Sequence, residues 1–282
     1  MSLLVFGKTG QLASELQRLA PDAIFLGRAQ ADQRKPQSCA AQVLAHDPAA
    51  VINAAAWTDV DGAETQEAAA TLVNGDTPGE LAKACAELGI PFIHVSTDYV
   101  FDGSGKKPWH PTEKTAPLNV YGRSKLAGEE AVFASGAVHA IFRTSWVVSS
   151  HGKNFVKTML SLGATRDKLT VVADQHGAPT PARDLAALCL QAVEVLKSDP
   201  TKSGTYHFAG QPDTTWAGFA REIFAQAGLT TLVEDVPTSA FPRPAKRPSN
   251  SRLDCTTTEA AFGVKRPDWR IGLAEILKEL PK

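Results

Sequence analysis

The chain of 282 residues lacks an excess of either charge: 29 Lys and Arg stand against 30 Asp and Glu, for a formal net charge of −1. Without a global basic field, no nucleic-acid partner is expected. Long apolar runs are missing too. The longest, such as AAVINAAAW, fall far short of the roughly 20 residues that a membrane helix requires, so no membrane partner is expected. The opening residues MSLLVFGKTG carry no basic segment or cleavage site before they run into a glycine turn, which points to a cytoplasmic protein. Cysteine is sparse. Cys39, Cys85, Cys189 and Cys255 lie far apart with no CxxC spacing, and the histidines form no HxxxH pair. Reduced packing cysteines are expected, and no metal site. No internal repeat or low-complexity segment occurs. Tyrosine is scarce as well, with three in the chain.

The remainder reads as an ordinary globular protein, 43% apolar and 21% charged. Its length suits one large domain or two modest ones. Leu3-Leu4-Val5-Phe6 is a buried-strand run ended by Gly7, and QLASELQRLA follows with leucines at helical spacing. Ala23–Leu26, AVINAAA, Pro91–Val95 and HAIFRTSWVV read as further strands, with helical segments between most of them. Alternation with short links predicts an α/β fold, a doubly wound parallel sheet with helices on both faces. After about residue 150 the rhythm loosens. The expected division is a dinucleotide-binding domain over 1–150 plus roughly 169–197. A smaller substrate-binding region, over roughly 151–168 and 198–282, is interleaved with it.

Four stretches carry chemistry. Gly7-Lys8-Thr9-Gly10-Gln11-Leu12-Ala13 is a GxxGxxA turn between a strand and a helix. Its glycines let backbone approach a pyrophosphate, and the helix N-terminus offers free N–H groups, so Gly7, Thr9, Gly10, Gln11 and Leu12 are cofactor candidates. The second strand ends in Gly27-Arg28 with no acid before Asp32. Arginine there suits a 2′-phosphate, which favours NADPH while leaving NADH possible; Asp32 and Gln33 are placed at the adenine. After the third strand, Ala55, Ala56, Trp57 and Thr58 are placed along the cofactor, either as room for it or as close helix packing. The fourth strand runs into Ser96-Thr97-Asp98-Tyr99, a polar cluster at the carboxyl edge of the sheet. In NVYGRSKLAGE, Tyr121 precedes Lys125 by four residues, so on a helix the two share a face. The reading is that the ammonium lowers the phenol's pKa; the alternative is an exposed Tyr and an exposed Lys.

The glycine turn, the hydroxyl at the fourth strand end and the YxxxK helix together resemble the extended short-chain dehydrogenase/reductase superfamily. FGKTGQL, VINAAAWTDVDGAE, STDYVFDG, PLNVYGRSKLAGE, FRTSWVV, NFVKTML, DQHGAPTPARDLA and RPSNSRLD narrow the likeness to the dTDP-4-dehydrorhamnose reductase family, in order over nearly the whole chain. The resemblance implies a Rossmann-type fold and reduction of the C4 ketone of dTDP-4-dehydro-β-L-rhamnose by NAD(P)H, a step in surface polysaccharide biosynthesis. It implies Tyr121 as proton donor, Lys125 on the nicotinamide ribose and Thr97 on the carbonyl oxygen. Asp98, Tyr99 and Trp146 would line the deoxysugar pocket. Asn154, Phe155, Arg247, Asn250 and Arg252 would serve the nucleotide sugar, with surface or salt-bridge roles as the alternative for the two arginines. Thr180 is read as a helix cap. Glu15 stands where some relatives hold a bridging metal, but Arg183 stands where a second carboxylate is sought, so no metal bridge is expected, and the chain is read as a monomer or weak homodimer. Two other activities fit the same likeness: a sugar-nucleotide epimerase or dehydratase, and a non-catalytic regulatory subunit of the methionine adenosyltransferase type.

Overall fold

The computed structural model describes residues 2–280. The chain begins β1 (Leu3–Phe6), α1 (Gln11–Leu19), β2 (Ile24–Leu26), α2 (Pro36–His46) and β3 (Ala50–Asn53). It continues through α3 (Val60–Ala63), α4 (Glu67–Thr71), a π-helical turn at Leu72–Asp76, α5 (Thr77–Leu88), β4 (Phe92–Thr97), α6 (Val120–Ala134) and β5 (His139–Thr144). Next come β6 (Val147–Val148), α7 (Phe155–Gly163), β7 (Lys168–Val172), β8 (His176–Gly177), β9 (Thr180–Pro181), α8 (Ala182–Ser198) and β10 (Gly204–His207). The last elements are β11 (Thr214–Thr215), α9 (Trp216–Ala227), β12 (Leu232–Val236), α10 (Thr256–Phe262) and α11 (Trp269–Glu279).

Six strands form one sheet in the order β10-β5-β4-β3-β1-β2, and every pairing is parallel. Successive residues of a strand point to opposite faces, so a sheet covered on both sides is apolar along most of each strand. Val5, Ile52, Ile93 and Phe142 pack with Leu12, Leu16, Leu185 and Leu188 of α1 and α8. Their neighbours Leu4, Val51, Phe92 and Ile141 pack with Cys39, Val43, Leu81 and Cys85 of α2 and α5. All four cysteines are free and buried, so they serve as packing residues. A separate core joins α7, α9, α11 and β7 through Val156, Leu169, Phe219, Ile223 and Leu273. No helix among the described residues is long and apolar enough to cross a membrane.

The expected division needs two corrections. β7, placed on the dinucleotide-binding side, pairs with β12 and contributes to the second core. β10, placed in the substrate region, closes the main sheet beside β5. Periodicity cannot tell which sheet a short strand joins; the register with its partner decides that. Thr180 is not a helix cap either. Pro181 precedes α8 with no side-chain cap, and the Thr180 hydroxyl lies 3.2 Å from that of Thr144.

The position of α6 follows from small residues. Asn119 caps it, its Oδ1 accepting from the Gly122 N–H at 2.8 Å. A Cβ on Gly122 would lie 2.2 Å from the Tyr99 carbonyl oxygen, and one on Gly128 would lie 2.1 Å from the Asn74 carbonyl oxygen in the π-helical turn. Asn74 also donates to Ser124 Oγ at 3.0 Å, tying the turn to the same helix face. Backbone carbonyls cannot swing aside as side-chain ends do. Gly128→Ala is therefore expected to destabilise the protein by about 1–3 kcal/mol, seen as a lower thermal midpoint, whereas Ala at the open Gly89 position would cost its strain alone.

Candidate functional site

A cavity of about 1170 Å³ opens at the carboxyl ends of the parallel strands. It lies where β1 has β2 on one side and β3 on the other, the switch point at which open α/β sheets bind ligands. Gly7 leaves β1 at φ +115°, and a Cβ there would stand 3.2 Å from the Ala54 carbonyl carbon, so the turn passes tightly between two strand ends. Gly10 precedes α1 without a side-chain cap, leaving the first-turn N–H groups for an anion. Thr9, Gln11 and Leu12 also line the cavity, but Gln11 serves a second purpose. Its Nε2 donates to the Val147 carbonyl at 3.1 Å, and its Oε1 accepts from Ser149 at 3.0 Å and Asn154 at 2.9 Å.

At the rim beyond β2, Arg28 is exposed and 3.8 Å from Asp32, while Arg34 grips the same carboxylate at 2.7 Å. Hydrogen bonds from Arg34 hold Asp32 well below the usual carboxylate range. Sequence reasoning passed over Arg34, although its place two residues after Asp32 was a usable signal. Gln33 is buried and donates to Asn53 Oδ1 at 2.7 Å. Ala55, Ala56, Trp57 and Thr58 border the cavity, and the Trp57 backbone N–H is fixed by Asn74 at 2.8 Å.

Thr97, Tyr121 and Lys125 line the middle of the cavity. Thr97 ends β4, accepts from the Tyr99 N–H at 3.2 Å and donates to Asp98 Oδ1 at 3.2 Å. The rings of Tyr99 and Tyr121 meet edge to face at 5.4 Å. Burial pushes the Tyr121 phenol up to about 12, a hydrogen bond with Thr97 opposes this, and the Asp98 charge adds to it. That direction corrects the expectation of a phenol acidified by Lys125. The lysine directs its ammonium to the Val95 carbonyl at 2.7 Å and to His94 Nε2 at 3.1 Å. Burial brings Lys125 down to about 8, with Glu129 one turn away opposing. A phenol protonated at neutral pH is what a proton donor needs.

Asp98 is 2% exposed, and its Oδ2 has no partner among the described residues. Desolvation raises its carboxyl to about 7, against hydrogen bonds from Ser251 and Thr97. Such an oxygen at a cavity wall suits a ligand hydroxyl. Beyond it, Trp146 takes a left-handed backbone at φ +49° and stacks on Trp216 at 3.8 Å, with Phe155 4.6 Å from Trp216. A Cβ on Gly177 would press to 3.0 Å from the Trp146 indole, so that glycine makes room for the ring. Trp216 carried no signal in the sequence, because a tryptophan opening a helix reads as core. It reaches the cavity because the first residue of α9 stacks on Trp146, just past the end of β5.

The remaining expected residues behave differently. Asn154 caps α7, accepting from the Lys157 N–H at 3.2 Å, so its side chain is engaged structurally although it borders the cavity. Arg247, Asn250 and Arg252 do not border it. Asn250 donates to the Ser104 and Lys107 carbonyls, and Arg252 pairs with Asn250 and Asp213, so both pin loops together. Arg247 pairs with Asp61 at 3.0 Å and keeps one nitrogen, Nη1, unpartnered among the described residues. Away from the cavity, Glu15, His151 and Glu279 lie close enough to share an ion, but Arg18 stands among them, 2.6 Å from Glu279 and 3.5 Å from Glu15.

Against known proteins, the chain matches the sequence family described as RmlD substrate binding domain over residues 1–281. It is 43% identical over 297 residues to the dTDP-4-dehydrorhamnose reductase of Escherichia coli (strain K12), covering 99% of this chain and 98% of that protein. A crystal structure of a dTDP-4-dehydrorhamnose reductase from Clostridium acetobutylicum superposes with a TM-score of 0.92 at 36% identity, covering 99% of both chains. Another from Bacillus anthracis, in complex with NADP, gives 0.91 at 32% identity, again over 99% of both chains.

The raised Asp98 carboxyl has a consequence for stability. Its folded value, about 7, lies above the ordinary 3.8. Between these limits the unfolded chain ionises while the folded one holds its proton, so stability is lost as pH rises from about 4 to about 7. Asp98→Asn is expected to raise the thermal midpoint relative to the parent chain by a margin that grows over this interval and then levels off.

Proposed function

The chain belongs to the RmlD substrate binding domain family, and from that membership we propose that it reduces the C4 ketone of dTDP-4-dehydro-β-L-rhamnose with hydride from NADPH, giving dTDP-β-L-rhamnose. The observation that carries this reading is the convergence of Thr97, Tyr121 and Lys125 in the cavity that also receives the glycine turn and the free end of α1. The residues present fit a dinucleotide: an uncapped helix N-terminus for its pyrophosphate and two arginines at the rim for a 2′-phosphate. When bound, the cofactor supplies the hydride.

The chain's own residues do the rest. Tyr121 lies in the first turn of α6 and gives its phenolic proton to the C4 oxygen as charge grows there. With substrate bound, Thr97 turns its one hydroxyl hydrogen from Asp98 to the same oxygen and so stabilises developing negative charge. Lys125 holds positive charge one turn behind the phenol and favours the phenolate left after transfer. Asp98 accepts a sugar hydroxyl at its open Oδ2, and the Trp146–Trp216 stack offers an apolar wall to the face of a deoxysugar. A cytoplasmic place of action follows from the nucleotide-sugar substrate and reduced cofactor.

The test is cofactor absorbance with purified protein, NADPH and dTDP-4-dehydrorhamnose. Stoichiometric, substrate-dependent loss of NADPH with a rhamnose nucleotide as product is expected. Retained NADPH together with an isomerised or dehydrated sugar would replace the reading with an epimerase or dehydratase. Tyr121→Phe should lower turnover by about 10²–10⁴-fold while NADPH binding persists, and near-normal turnover would remove the proton-donor role. Arg28→Ala and Arg34→Ala should each weaken NADPH binding by about tenfold or more and change NADH binding little, as measured by fluorescence titration.

A further inference from the structure

His94 stands in β4, 0% exposed, and the proton donor and hydroxyl assigned above do not use it. Its Nε2 lies 3.1 Å from the Lys125 ammonium. Its Nδ1 lies 3.4 Å from the Asn53 amide, which in turn meets the Gln33 amide at 2.7 Å. Asn53 and Gln33 both border the cavity at its cofactor end. A buried chain of polar groups therefore runs from the adenine side of the cavity to the lysine behind Tyr121.

The chain admits two proton patterns. An ammonium can only donate, so with Lys125 charged the facing Nε2 carries a lone pair and the neutral ring carries its proton on Nδ1. That N–H requires the oxygen end of the Asn53 amide. Turning the amide to supply it directs the Asn53 NH2 at Gln33, whose Oε1 is buried and partnerless in the opposite orientation. Turning Gln33 as well gives that oxygen a donor. The same turn releases the Ala55 N–H, 3.3 Å from Asn53 Oδ1, at the cavity wall. In the second pattern Asn53 donates to Nδ1, the ring proton sits on Nε2, and Lys125 must be a neutral amine.

We infer that His94 is a positioning residue that holds Lys125 as an ammonium behind Tyr121, with its own tautomer fixed by Asn53 and Gln33. The inference rests on the reductase reading for its catalytic consequence. An imidazolium would repel the ammonium and is disfavoured by burial, and both effects press His94 well below its ordinary value. The other titratable and charged groups around the pair are Glu129 on the helix of Lys125, Arg143 on β5 paired with Glu129, and His139 on β5.

Two variants of the full chain test this. Glutamine can place an acceptor oxygen where Nε2 stands, whereas asparagine reaches only the Nδ1 position. Loss of the acceptor disfavours the ammonium, so in His94→Asn the alkaline limb of the pH–kcat profile should move down by about one pH unit, a tenfold loss of turnover above the limb. His94→Gln should restore the limb. A limb unmoved in the Asn variant, or moved equally in both, overturns the inference, because a merely structural histidine would lower thermal stability without separating the two. If neither variant folds, ring ¹⁵N shifts of histidine-labelled parent protein at pH 7 decide. An Nδ1–H tautomer for His94 supports the inference, and an Nε2–H tautomer or an imidazolium overturns it. Parent protein that fails to oxidise NADPH with substrate would remove the reductase reading, yet the ¹⁵N result would still judge the contact between His94 and Lys125.

Discussion

An ammonium sits in the interior of this protein, on a lysine 1% exposed and one turn of helix from the tyrosine assigned as proton donor. Removing a charge from water costs several kcal/mol after relaxation. The structure offsets that cost with the Val95 carbonyl, the His94 ring and the Glu129 carboxylate one turn on. Glu129 is itself held by a two-pronged pair with Arg143, at 2.6 and 3.0 Å. The arrangement is therefore a buried polar framework spanning β4, β5 and α6. Loss of any member would take a partner from its neighbour in the interior.

Packing makes the framework possible. Lys125 reaches Val95 only because α6 lies against the strand end and the π-helical turn at backbone contact distance. Gly122 and Gly128 permit that approach. The Asn119 cap fixes where the helix begins and hence where Tyr121 points. On the opposite side of the cavity, Gln11 ties the glycine turn to Val147, Ser149 and Asn154.

The electrostatic layout divides the cavity. The rim beyond β2 carries Arg28 and Arg34 around one carboxylate, with the open end of α1 close by, which favours anionic groups. The deep end holds a desolvated carboxyl and stacked indoles, which favours hydroxyls and an apolar ring face. Between them lies the phenol, kept protonated by burial. In the proposed reaction the rim takes the phosphates of the dinucleotide and the deep end takes the deoxysugar, so reduced cofactor and ketone meet beside the phenol where the two halves join.

The sequence by itself determined the strand–helix alternation, the glycine turn at the first strand end and the helical phase that puts Tyr121 and Lys125 on one face. These are local properties, set by side-chain period and backbone freedom within a few residues. It also led to Thr97 and Asp98, because polar residues just beyond a strand end fall on the ligand edge of a parallel sheet, whereas Trp146 followed from the family resemblance. Tertiary structure decided the rest. The sheet joined by β7 or β10 depends on partners more than 60 residues away in sequence. Trp216 became a cavity wall through its stacking on Trp146. Asn250 and Arg252 became loop ties because carbonyls and a carboxylate from distant segments claimed their donors. The direction of the Tyr121 shift was decided by burial, which exceeds the influence of a lysine whose protons are committed elsewhere. Burial and hydrogen-bond partners are sums over the whole fold, and no window of sequence contains them.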